Sequence, residues 1–156
     1  MNPHTTQIIG LGQSSAGDDA AGLEVIKYLQ GHKLNNAQLT ATRDPATILD
    51  LLQDNNHKGD PFIIVDAIIN AGRPGAVITI TEHQIDIGPR ALSSHAMSLR
   101  DTIALARTLG AHPGPITLVG ITIDTPKRPS IHLSRAITQA IPKAADQVLQ
   151  LINGPT

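Results

Sequence analysis

Three side chains stand where an α/β chain carries out chemistry: Asp19 in "GLGQSSAGDDAAG", Asp66 in "PFIIVDA" and His95 in "SSHAMSLRD". In open α/β sheets, binding sites gather beyond the carboxyl ends of the strands, so polar groups that follow apolar runs or open helices are well placed to act. Two carboxylates and one imidazole from three separate loops form a mixed oxygen and nitrogen donor set with open coordination positions. Such a set suits nickel, zinc, iron or manganese, and it polarises a carbonyl or a water. The three residues are far apart in the chain and contain no tight pair such as His-x-x-x-His, so spacing alone does not select the metal.

Each residue also has a structural use. Asp18 and Asp19 in the first turn of a helix complement its dipole, at roughly 0.3–1 kcal/mol each. One acid suffices for that, and the glycines and serines before the pair strip bulk from the loop and leave the second acid open. Asp66 closes the apolar run Phe62 to Val65, where a carboxylate is desolvated unless a hydrogen bond or a cation meets it. In the first turn of a helix the dipole disfavours imidazolium and keeps a lone pair of His95 available.

Other chemistries are poorly served. Gly10 and Gly12 are followed by Ser15 where a dinucleotide fingerprint needs its third glycine, and the loop lacks the Gly-Lys-Ser/Thr ending of a P-loop. Asp44 reads as a helix cap. No Gly-x-Ser-x-Gly elbow surrounds Ser14, Ser15, Ser93 or Ser94, which read as loop and cap serines. The histidines at 4, 32, 57, 83, 112 and 132 lack ligand spacing and read as surface residues, with His132 the least secure.

The elements that must position these residues follow from periodicity. "TQIIGLG", "QLTAT", "PFIIVDA", "GRPGAVITI" and "PITLVGITI" read as strands, the fourth at an edge because Gly72, Pro74 and Gly75 punctuate it. Ala20 to Gln30 reads as a helix with Leu23, Ile26 and Leu29 inward, and "RDPATILDLLQ" as a helix capped by Asp44. "TEHQIDIGPRAL" reads as a loop. "SSHAMSLRDTIALARTLG" reads as a helix capped by Ser93 or Ser94, with a stripe of Leu99, Ile103 and Ala106 and a stop at Gly110. Near the end, Pro142 is expected to divide a short helix from a terminal one that buries Ile141, Ala145, Val148 and Ile152. The alternation predicts an α/β fold: a single three-layer domain over residues 1–156, with a mostly parallel sheet and helices on both faces.

Composition narrows the partners. The 156 residues carry 12 Lys plus Arg against 13 Asp plus Glu, with one Phe, one Tyr and no Trp. That balance offers nucleic acid neither a basic footprint nor stacking surfaces, and it offers a membrane no basic patch. The absence of cysteine excludes disulfides, thiolate metal sites and thiol nucleophiles. "MNPHTTQIIG" has no long apolar run after a basic region, so neither a signal peptide nor an anchor is expected, and the protein reads as cytoplasmic.

These blocks together resemble the hydrogenase maturation endopeptidases, which trim the C-terminus of the large subunit of nickel-iron hydrogenases. "GLGQSSAGDDAAG" is similar to the family's glycine-rich opening with its Gly-Asp-Asp block, "IIVDAIINAGRPG" to its strand-Asp-Ala and Pro-Gly segment, and "SSHAMSLRDTIALARTLG" to its Ser/Thr-x-His helix. "ITLVGI" and "LSRAITQAIPKAADQVL" fit as well. The resemblance implies a twisted, mostly parallel five-stranded sheet and an aspartic-type endopeptidase acting as a monomer on a hydrogenase large-subunit precursor. It also implies a nickel-recognising and catalytic trio at Asp19, Asp66 and His95, with the nickel supplied by the precursor and no permanently bound cofactor. The chain departs from the family at Gln13, usually Asn, at Ala20, usually Gly, and near Thr122, where an acid is expected. Two other readings carry different expectations: a non-catalytic, chaperone-like homologue that holds the precursor, and a small-molecule or nucleotide-binding module.

Overall fold

The computed structural model describes residues 4–12, 17–69, 72–87, 96–124 and 132–154. Its strands are β1 (Thr6–Leu11), β2 (Ala37–Thr42), β3 (Phe62–Ile69), β4 (Val77–Thr81) and β5 (Ile116–Ile123), joined in one sheet in the order β2-β1-β3-β5-β4. β1 pairs in parallel with β2 and β3, and β3 in parallel with β5. β4, at the edge, runs antiparallel to β5. The mostly parallel sheet expected from the sequence is present.

β3 and β5 are buried along nearly their whole length. This is the signature of central strands covered on both faces. One face packs Ile8, Val65, Val119 and Ile121 under α1 (Ala21–Leu29) and α5 (Arg135–Asn153). The other packs Ile9, Ile64, Ile68 and Leu118 under α2 (Ala46–Gln53), α3 (Glu82–Ile87) and α4 (Ala96–Thr108). In α4 the stripe of Leu99, Ile103 and Ala106 is buried as expected. Gly110 follows with φ +92°, the left-handed conformation of a helix stop.

Four local expectations change. In α1 the inner face is Ala21, Gly22, Val25, Ile26 and Leu29, while Leu23 is half-buried. The helix is rotated because Gly22 lies against the sheet: a Cβ there would collide with the backbone oxygens of Leu11 and Val65. β3 runs on past Asp66 to Ile69, so the acid lies within the strand rather than at its end. The segment read as a loop opens with α3. There Thr81 N donates to Gln84 Oε1 at 2.8 Å and Gln84 N donates to Thr81 Oγ1 at 3.4 Å, a reciprocal capping box.

Pro142 lies inside one continuous 19-residue helix instead of dividing two. An interior proline costs about 3 kcal/mol, but α5 buries Ile137 and Ile141 before it and Val148 after it. Each such side chain contributes about 1.5–3 kcal/mol, which outweighs the break. Asp44 does cap α2, its Oδ1 accepting from Ala46 N at 2.9 Å.

The Gly22 contact carries a prediction. Alanine forms helix better than glycine by about 1 kcal/mol, yet its methyl would meet main-chain atoms of two central strands, which cannot rotate away. Overpacking of this kind costs typically about 1–3 kcal/mol. Gly22→Ala is therefore expected to lower the midpoint of a thermal melt, at roughly 2–4 °C per kcal/mol of net loss for a chain of this size.

Candidate functional site

The chain leaves β1 for α1 and β2 on one side of the sheet, then returns to β3 on β1's other side. The crevice between β1 and β3 is thus the topological switch point, the usual place for a ligand in an open α/β sheet. Two of the three sequence candidates flank it.

Asp19 follows β1. A 3-10 turn, Gly17–Ala20, starts at Gly17 with φ +57° and feeds directly into α1. Gly12 makes room for the turn, since a Cβ there would sit 2.6 Å from the main-chain oxygen of Asp19. With Gly12 and Gly22 both bare, the turn settles against β3, and Asp19 is buried at 8% exposure.

Asp66 comes from β3. The β1–β3 ladder ends at the pair Gly10–Val65, so Asp66 lies one residue beyond it while still opposite Gly120 of β5. By strand alternation its side chain shares the face of Ile64 and Ile68, the face covered by α2, α3 and α4. It has 0% exposure, and its Oδ1 accepts a hydrogen bond from Ala67 N at 2.8 Å. A carboxylate so buried keeps its charge through such bonds or through a cation.

His95 and the cap serines Ser93 and Ser94 lie outside the described residues. What the structure describes is the helix that follows. α4 leads into β5, a parallel strand, so it begins at the carboxyl edge where Asp19 and Asp66 lie. It is fastened to α3 by two guanidinium groups. Arg100 donates to the main-chain oxygen of Ile85 through Nε (3.0 Å) and Nη2 (2.7 Å), and Arg107 forms a two-pronged pair with Glu82 at 2.8 and 2.6 Å. Among the described residues, no three His, Asp or Glu side chains are grouped to hold a metal ion.

With this geometry in hand, known proteins supply the decisive comparison: residues 24–151 match the family described as Hydrogenase maturation protease. The chain belongs to that family. The hydrogenase 2 maturation protease of Escherichia coli (strain K12) is 26% identical to this protease over 144 residues, spanning 91% of this chain and 87% of that one. Among solved structures, the hydrogenase maturating endopeptidase HybD from E. coli superposes with a TM-score of 0.77 at 22% identity, over 96% of this chain and 92% of that one. The nickel-iron hydrogenase maturation protease HybD from Thermococcus kodakarensis superposes with a TM-score of 0.72 at 22% identity, over 95% and 99%. The family match contains Asp66 and His95 and begins five residues after Asp19.

Sequence reading missed a second polar cluster in this protease, at the opposite, amino edge of the sheet. Asp60, 5% exposed, accepts from Thr5 N (3.1 Å), Gln7 Nε2 (3.1 Å) and the ring of His57 (3.2 Å), with His4 3.5 Å away. His57, whose side chain is 15% exposed, is therefore not the plain surface residue expected, while His4, at 42%, lies at the surface beside the cluster. The available signal was the spacing His57-x-x-Asp60 directly ahead of the strong strand that begins at Phe62. The cluster ties the start of β1 to the start of β3 and leaves the carboxyl edge to the site.

At the carboxyl end of β5, Thr122 is wholly buried, and among the described residues its Oγ1 has no hydrogen-bond partner. An unsatisfied buried hydroxyl costs about 1–3 kcal/mol. Thr122→Val keeps the shape and removes the orphan, so it is expected to raise the thermal midpoint by a few degrees. A melt unchanged or lowered would mean that the hydroxyl is used.

Proposed function

We propose that this protease is an endopeptidase that removes a C-terminal peptide from the nickel-loaded large-subunit precursor of a nickel-iron hydrogenase. The observation that carries the reading is the pair of buried carboxylates, Asp19 and Asp66, drawn from positions 47 apart in the chain to the two sides of the switch-point crevice. Buried carboxylates held in place by the fold present hard anionic oxygens, the donor type that suits a visiting divalent metal ion.

In this reading Asp19, Asp66 and the His95 imidazole engage the nickel that the precursor brings, and the shell they leave incomplete is filled by the precursor's own ligands. Nickel supplies Lewis acidity and positional recognition when the precursor is bound. The residues of this chain orient the precursor so that the scissile peptide lies beside the two carboxylates, which hold or move protons there. The nickel belongs to the client, and the protease works as a monomer in the cytoplasm. No helix among the described residues is long and apolar enough to cross a membrane.

Intact-mass spectrometry of a purified large-subunit precursor, with and without nickel, before and after incubation with the protease, tests the reading. Shortening of the nickel-loaded form alone is the expected result. Tight binding with no loss of mass would make the protein a chaperone-like homologue, and equal cutting of both forms would remove nickel from the recognition step.

A further inference from the structure

Adjacent acids on a short turn do not both face one target. In a 3-10 turn, with three residues per turn, neighbouring side chains point about 120° apart. Asp19 is buried at the turn, whereas Asp18 is half-buried and reaches away: its Oδ1 accepts a hydrogen bond from Ser134 N at 2.7 Å, across 116 positions of sequence. Ser134 is the N-cap of α5, in extended conformation at φ −65° and ψ 161°, and its own side chain makes no capping bond. α5 is a firm anchor, since it packs against α1, β4 and β5.

We infer that Asp18 is a positioning residue, tethering the turn to the start of α5 and so setting where Asp19 stands in the crevice. This rests on the proposed role of Asp19. The turn is then held at two points, by the close fit of Asp19's main chain on Gly12 and by the bond from Asp18 to α5. Because the main chain of α5 supplies the donor, the tether is independent of Ser134's hydroxyl. A neutral acceptor at position 18 can also serve it.

Three variants test the tether by cleavage kinetics on nickel-loaded precursor. Asp18→Ala removes the acceptor. Ser134→Pro removes the donor alone, because a φ of −65° suits proline. Asp18→Asn keeps an acceptor oxygen. Asp18→Ala and Ser134→Pro are each expected to lower kcat by about tenfold, within the roughly 100-fold that a 1 Å misplacement costs, with KM little changed. Asp18→Asn should recover most of the rate, and the double variant Asp18→Ala/Ser134→Pro should be no slower than the slower single one, because both changes cut the same bond. Wild-type kcat in Asp18→Ala, or losses that multiply in the double variant, would overturn the tether. Asp19→Asn run in parallel separates the two ideas. If it is inactive while Asp18→Ala is unimpaired, only the tether fails; if it cleaves normally, the role of Asp19 fails and the inference goes with it.

Discussion

In the Asp19→Asn variant, cleavage of nickel-loaded precursor is expected to fall by at least about 100-fold, while the thermal midpoint stays within a few degrees of wild type. Loss of an outer-shell partner of a metal ligand already costs roughly 10–100-fold, and in the proposed role of Asp19 the substitution turns a charged ligand itself into a neutral amide. Stability is spared because asparagine has nearly the same shape, and the fit of the turn on Gly12 involves the main chain of residue 19 rather than its carboxylate. Asp66→Asn is expected to match it, since an amide oxygen still accepts from Ala67 N. Intact-mass time courses beside thermal melts check both. A variant that cleaves at the wild-type rate would take that carboxylate out of the site.

His95→Ala should produce the second large effect. Under the proposed function, removing the imidazole leaves the precursor's nickel two carboxylates of this chain and no nitrogen donor from it, so cleavage should slow by a comparable factor. The circular dichroism signal of the helix over residues 96–108 should persist, because its packing rests on Leu99, Ile103 and Ala106 and on the Arg100 and Arg107 bonds. The sign of the pH effect follows from the lone pair. Protonation removes it, so wild-type precursor binding should weaken as pH falls through the imidazole range, about 6.5 for a free histidine. His95→Ala should lack that limb. Identical pH profiles for the two proteins would assign the titration elsewhere and reduce His95 to a residue ahead of a helix.

Much of the frame was legible because buried parallel strands announce themselves. The Ile-rich strands β1, β3 and β5 are predominantly apolar, and each has Gly or Pro at one boundary. What escaped was geometry decided by contact. The Leu23 stripe is a sound helical pattern, but the close approach of Gly22 to Leu11 and Val65 turned the helix. Pro142 reads as a breaker until the burial of α5 on both sides of it is known. The Thr81-Glu82-His83-Gln84 capping box was readable and overlooked, hidden by the absence of apolar periodicity in so short a helix. For the site, Asp19 and Asp66 stood out because acids beside apolar or glycine-rich segments need a reason. The burial of Asp66 deep within β3, by contrast, depended on where β1 leaves the ladder, and no local pattern encodes that.

Among the described residues the sheet contains no hairpin. Its shortest-range pairing joins Thr6 to Ala37, 31 positions apart, and the pairings that enclose the crevice join Gly10 to Val65 and Asp66 to Gly120, 55 and 54 positions apart. Topologies dominated by such distant contacts fold slowly, because each loop must close before any pairing rewards it. For a chain emerging from the ribosome, the order of events follows. Both carboxylates are synthesised within the first half of the protein, yet the crevice lacks its β5 wall until residue 123 has been made, and the bond from Asp18 must wait for Ser134. The carboxyl edge of the sheet therefore matures last, and a partly made protease carries both acids before the elements that place them.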